Sequence, residues 1–283
     1  MELLYPRVDH LFRLTDDTGI LQHSKFSVPD PRFGYTTDDN SRALIVAIML
    51  YKQYKEERYL DLIYRYSSFI LNAQTDKGNF RNFMSYDRKF LEEGSEDCFG
   101  RVVWSLGVGI ATKEVPLGVR NLHKELLSRS LKYIEELRSP RSKAYTILGL
   151  YYANKDVSLG SLGLTEYIDW LAKSLVRQFR ENSDADWRWF EDIMAYSNAI
   201  LPLSLLVAYK TLKNDDFKEV AIESMKFLEK IVFRYGYFKP IGCNGWYVRG
   251  GKIAEFDEQP IEASEMILLY KEAYEQFKDI RYM

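Results

Sequence analysis

The chain has 283 residues, 46% hydrophobic and 28% charged, which is ample for a buried core. Its formal charge is only -2 and no basic block occurs, so composition argues against a nucleic-acid groove or an anionic membrane surface as its partner. Two cysteines, Cys98 and Cys243, leave no disulfide framework, and His10, His23 and His123 lie too far apart for the common metal-ligand spacings, so neither a metal nor a cofactor is expected.

Taken in chain order, the apolar spacing is helical almost throughout. The predicted helices are 43–54 and 58–73, then 98–111 and 119–138, then 142–153 and 163–180, then 192–211 and 217–233, and last 260–277. Pro260 stands at a first-turn position, where its missing N–H breaks no helical bond. The first member of each pair is rich in small or apolar residues, such as Ala43, Ala47, Gly107 and Gly109. The second carries more charge, which predicts an inner and an outer helical layer. Long loops cover 76–94 and 235–258, and the second is predicted to hold a short β-hairpin turning at Gly250-Gly251. The inner-helix starts, near 39, 97, 141, 191 and 258, are unevenly spaced, which favours a closed toroid of helical hairpins over a regular repeat array. No linker divides the chain, so residues 1–283 are expected to form one all-α domain.

Four adjacent acid pairs precede apolar runs: Asp38-Asp39, Glu96-Asp97, Glu191-Asp192 and Asp257-Glu258. One acid at a helix start is explained by capping and by the helix dipole, and Asp38 is expected to cap in this way. Its neighbour is then free to project above the helix end. Asp39 with Arg42, three residues apart, and Asp97 with Arg101, four apart, each have ion-pair spacing. Trp187, Trp189, Phe190, Glu191, Asp192, Tyr196 and Asn198 set aromatic rings and an amide beside two acids, as a sugar ring with its apolar C–H face and hydroxyl rim requires. Apolar walls also favour a carboxyl that keeps its proton, the state a general acid needs. Asp257, Glu258, Gln259 and Glu262 crowd three acids and an amide into one helix start, and like charges at 258 and 262 conflict unless something bonds them. Most of the 21 Tyr, 16 Phe and 5 Trp are assigned to packing, with a handful near the acids left for stacking.

Four stretches carry a family resemblance: Leu14–His23 (LTDDTGILQH), Gly34–Leu44 (GYTTDDNSRAL), Trp189–Asp192 (WFED) and Phe256–Ala263 (FDEQPIEA). On these the chain resembles the six-hairpin glycosidase-like superfamily. More narrowly, it resembles a bacterial family of unassigned activity, encoded beside or fused to glycosyltransferases and mannoside phosphorylases. The resemblance implies an (α/α)6 toroid with its site at the inner-helix N-termini. Such chains run through further helices, so for this one, ending at Met283 after about nine long helices, the expectation is an incomplete barrel, a barrel whose gap the N-terminal segment fills, or a shortened chain. An apolar flank left open in this way would be covered by a second copy, which makes a homo-oligomer a further expectation.

The expected activity is glycoside hydrolysis of an oligosaccharide, a mannoside being the class the resemblance suggests, with two carboxyl groups as acid and base. Asp39, Asp97, Glu191, Asp192 and Glu258 are the catalytic candidates. Asp38, Arg42, Arg101, Trp187, Trp189, Tyr196, Asp257, Gln259 and Glu262 are the substrate-binding ones. The alternative from another class is a non-catalytic sugar-binding or partner-binding subunit. Sugar 2-epimerisation ranks lower because no inner-helix start carries a histidine, and prenyl chemistry lower again because Asp38-Asp39-Asn40 lacks an Asp-x-x-Asp continuation. No apolar run reaches the roughly 18 residues of a membrane span. The N-terminus lacks the basic-then-apolar order of a signal peptide, so the cytoplasm is expected.

Overall fold

The computed structural model describes residues 5–283. It is all-α, with three two-stranded antiparallel pairs and short 3-10 turns among the described residues. The chain divides into two compact units, one of residues up to Leu137 plus Tyr152–Leu162, the other of Arg138–Tyr151 plus Gly163–Met283.

The first unit begins with α1 (Asp9–Leu14) and a small hairpin of β1 (Ser24–Lys25) and β2 (Val28–Pro29). Strand β3 (Tyr35–Thr36) leads straight into α2 (Thr37–Tyr54), followed by α3 (Glu57–Ala73) and by β4 (Phe83–Met84), which pairs back onto β3. Helices α4 (Glu96–Ala111) and α5 (Leu117–Ser130) complete it, with α2 packed on α3 and α4, and α4 on α5. Helix α2 starts six residues earlier than predicted. Thr36, in extended conformation, is its cap in place of Asp38: the Thr36 hydroxyl accepts from the Asp39 N–H at 3.0 Å. The predicted helix 119–138 is α only to Ser130 and continues as 3-10 over Leu131–Glu136.

The second unit holds α6 (Pro140–Ala153), α7 (Leu164–Asn182), β5 (Ile193–Met194), α8 (Ile200–Leu212), α9 (Asp215–Val232), β6 (Tyr247–Val248) and α10 (Pro260–Phe277). Helix α8 packs on α7, α9 and α10 and is buried from Ile200 to Ala208. Two expectations fail here for one reason. The predicted helix 192–211 begins only at Ile200, because Ile193 and Met194 pair with Val248 and Tyr247. An apolar run reads alike as helix or strand, and the tertiary partner decides. The same pairing gives β6 a distant partner instead of one within its own loop. The predicted turn is nonetheless present, with Gly250 at φ +76° and the Gly251 N–H donating to Val248 O at 2.8 Å. Among the described residues, no helix is long and apolar enough to cross a membrane.

One buried group of the first unit makes the fold sensitive to pH. His123 on α5 is fully buried, with Nε2 2.8 Å from the Ser67 hydroxyl on α3, and burial lowers its pKa to about 4. The unfolded histidine takes its proton near pH 6.5. Between those values the unfolded state holds the extra proton, so stability falls as the pH drops from about 6.5 to 4, by roughly 3 kcal/mol in total. Urea unfolding across that window should show this loss in the native chain and its absence in His123→Gln.

Candidate functional site

Each unit carries its own arginine–carboxylate cluster. In the first, the turn from β3 into α2 sets Asp38 and Asp39 in the first turn of the helix. Thr36 Oγ1 donates to Asp39 Oδ2 at 2.5 Å while accepting from the Asp39 N–H, a reciprocal cap. Arg42 Nη2 reaches Asp39 Oδ1 at 2.5 Å, and its Nε lies 3.4 Å from Asp38 Oδ1. Arg101, buried on α4, donates to Asp38 Oδ2 at 2.5 Å, so Asp38 bridges the two helices between two guanidinium groups. Asn82 Oδ1 accepts from the Asp38 N–H at 3.2 Å and ties in the loop before α4. Asp97 sits half-buried in the first turn of α4, whose cap is Ser95.

In the second unit the organising residue is Arg141, in the first turn of α6 and only 5% exposed. Its Nη1 donates to Glu191 Oε2 at 2.6 Å and its Nε to the Tyr196 carbonyl at 2.6 Å. Its Cζ also lies 5.0 Å from the Tyr196 ring centroid, at cation–π distance. The Tyr196 ring is half-buried and 6.0 Å from that of Trp246. Behind Tyr196, the Glu262 carboxylate of α10 accepts from the Ser197 N–H, from the Asn198 N–H at 3.3 Å and from Asn198 Nδ2 at 3.1 Å. Burial raises the Glu262 pKa, against those hydrogen bonds and the charge of Arg141, which lower it. One turn along α10, buried Glu265 accepts from the Tyr145 hydroxyl at 3.5 Å.

Several candidates lie elsewhere. Glu191-Asp192 precedes a strand instead of starting a helix, and the two acids part company. Asp192, its side chain 70% exposed, pairs with Arg249 at 3.0 Å, and the same guanidinium also holds Asp184. Replacing Asp192 with Asn should therefore change stability by less than about 1 kcal/mol, by urea unfolding, and less still in high salt. Asp257 is exposed at φ +64°, and Glu258 bonds Lys239 Nζ at 2.5 Å. The predicted conflict between Glu258 and Glu262 is thus resolved by separate partners. Gln259 is the cap residue of α10 and makes no side-chain cap bond. Trp187 and Trp189 have no face open for a sugar. Trp187 packs edge-on against Phe227 and Tyr247 and donates Nε1 to Glu191 O at 2.7 Å, while Trp189 is fully buried beside Phe190 and Phe227. Their rings fill the core because the apolar area of an indole outweighs its single polar atom.

Sequence reasoning missed Arg141, which it left outside the helix start; the Ser-Pro-Arg run at 139–141, with Pro140 as a first-turn residue, was the available signal. Trp246, Glu265 and the left-handed Ser197 (φ +50°) were missed too, and no local pattern marks them. Among the described residues, no group of three or more His, Cys, Asp or Glu could hold a metal ion.

No protein-family model matches the chain, and no curated protein sequence matches it. Solved structures do. A sugar epimerase from a ruminal bacterium aligns with TM-score 0.72 at 14% identity, covering 96% of this chain and 79% of that one. A D-mannose isomerase aligns with TM-score 0.73 at 13% identity, covering 96% and 80%. A cellobiose 2-epimerase from Bacillus thermoamylovorans B4167 aligns with TM-score 0.70 at 13% identity over the same shares. A glycoside hydrolase aligns more loosely, with TM-score 0.51 at 11% identity, over 87% of this chain and 44% of that one. At these identities the likeness is one of fold, and the fold is the expected class, an all-α toroid of helical hairpins.

Proposed function

We propose that this chain is a carbohydrate-active protein that engages a saccharide at the Arg141–Glu191–Tyr196 cluster, and that its first activity to test is glycoside hydrolysis run by carboxyl groups. The observation that carries this reading is Arg141, which holds a part-exposed carboxylate and the backbone of a half-buried tyrosine at once. Such a cluster offers a sugar fixed hydrogen-bond partners for its hydroxyls beside aromatic rings for its C–H face. The fold, shared with a sugar epimerase, a D-mannose isomerase and a glycoside hydrolase, supports the substrate class. Glu191 is the proposed catalytic carboxyl of this cluster. Asp39 and Asp97, each in the first turn of its helix, are the first unit's own candidates for a base or a substrate anchor.

The solved neighbours favour a second reading, epimerisation or isomerisation of a sugar. Such chemistry commonly employs paired histidines, whereas here His123 is sealed in the core and His10 and His23 are exposed on the N-terminal segment. Carboxyl or tyrosine groups would have to move the proton. Incubation with D-mannose, cellobiose and a β-linked mannobiose separates the readings. New reducing ends identify a hydrolase, a changed C2 configuration or a ketose identifies the second class, and a raised melting temperature without product identifies a binding module. Ligand at 100 times Kd adds about 2.7 kcal/mol of stability. No shift and no product with any of the three would overturn the saccharide reading.

A further inference from the structure

We propose that Glu262 is the positioning residue of the second unit's cluster: from α10 it locks the turn at Ser197 and Asn198 and so sets the Tyr196 ring on Arg141. The inference rests on the saccharide reading for its purpose, and on geometry alone for its mechanism. Ser197 has φ +50°, a left-handed conformation that costs a β-carbon-bearing residue energy and persists only where its surroundings over-determine it. Glu262 supplies that determination. It is 5% exposed, and its two oxygens take the Ser197 N–H, the Asn198 N–H and Asn198 Nδ2. Asn198 Nδ2 also donates to Ala195 O at 2.7 Å, which closes the turn on itself. The residue ahead of this turn is Tyr196, whose carbonyl and ring both meet Arg141. Local sequence offers no substitute, because Ala199, the cap residue of α8, and Ile200, its first residue, have side chains that accept nothing.

All three groups aimed at Glu262 donate, so both of its carboxyl oxygens serve the turn as acceptors. Arg141 on α6 is the positive charge that opposes protonation. On α10 itself, Glu265 lies one turn ahead, bonded to Tyr145, and Glu258 lies just before the helix, bonded to Lys239. Glu191 contributes through Arg141. Tyr196 is the titratable group of the turn.

Hydrogen exchange of peptides spanning 193–200, corrected for intrinsic rates, tests this without any ligand. At pH 7.5 the Glu262→Gln variant should lose roughly tenfold or more of the native chain's protection in this segment, with α3 and α9 peptides unchanged. Adding Ser197→Gly, which removes the left-handed penalty, should restore part of that protection. A residue that merely fills space would not show the rescue. Native protection in Glu262→Gln overturns the proposal. If that variant does not fold, Glu262→Asp, whose carboxylate is one methylene short of the turn, decides in its place: native protection there overturns the proposal equally. Calorimetry with D-mannose forms a separate arm. A roughly tenfold weakening in Glu262→Gln, partly regained with Ser197→Gly, supports the link to the site. Absence of binding by the native chain counts against D-mannose as ligand and leaves the exchange result to judge the turn.

Discussion

Replacing Trp189 with alanine is expected to lower the unfolding free energy by about 3–5 kcal/mol, as for other fully buried large aromatics. The indole is 0% exposed and packs edge-on against Phe190 at 5.4 Å, so its removal leaves a cavity that the surrounding helices cannot close. Its Nε1 is buried without a hydrogen-bond partner. Trp189→Phe therefore removes an unsatisfied donor together with some volume, and its net cost should be about 1 kcal/mol. Urea unfolding of the two variants gives the comparison. A sugar-stacking tryptophan would behave in the opposite way, with folding spared in both and saccharide binding lost in the alanine variant.

The second large effect concerns Arg141 and Glu191. Under the proposed function, Glu191→Gln should cut turnover of the sugar identified by the panel by about 10²–10⁴-fold, the usual worth of a proton-transfer group. Glu191→Ala takes one carboxylate from buried Arg141, and its cost should stay below the about 3–5 kcal/mol of a broken buried pair, because the Glu191 side chain is 26% exposed and the guanidinium keeps the Tyr196 carbonyl and the nearby charge of Glu262. The double variant Arg141→Met/Glu191→Leu removes both charges of the pair and should recover part of that stability without recovering turnover. If the double variant is as unstable as the sum of the single ones, the two residues are not coupled and Arg141 does not organise the cluster.

The fold was legible where local chemistry and tertiary packing agree. Helix 260–277 was read to the residue because Pro260 fixes its start and the apolar spacing runs uninterrupted. The helix placed at 192–211 was misread because Ile193 and Met194 suit a strand as well as a helix, and their partner lies at Tyr247 and Val248, beyond any local window. The acid pairs were visible, and at Asp38 and Asp39 the ion-pair spacing with Arg42 is realised in the structure. Elsewhere adjacency misled, since Glu191 and Asp192 are neighbours in sequence with different partners in space. Tryptophans beside acids suggested stacking, but neighbours along the chain say nothing of which face of a ring is covered. The positioning of Tyr196 by Arg141 and Glu262 was invisible for the same reason, being made by residues far from one another in the chain.

The segment from Trp187 to Ala199 is held chiefly by partners remote in sequence: Arg141 lies 50 residues from Glu191, Arg249 lies 57 from Asp192, and Glu262 lies 65 from Ser197. The helical pairs, by contrast, join neighbours such as α8 and α9 across a short turn. Contacts of long loop closure form after local ones during folding. Maturation of this segment should thus be the late step on the folding path, with the hairpins already assembled around it. In the native ensemble the same segment is expected to open by itself, at a free energy below that of global unfolding. Mild denaturant would then erase ligand recognition while the helical signal in circular dichroism persists.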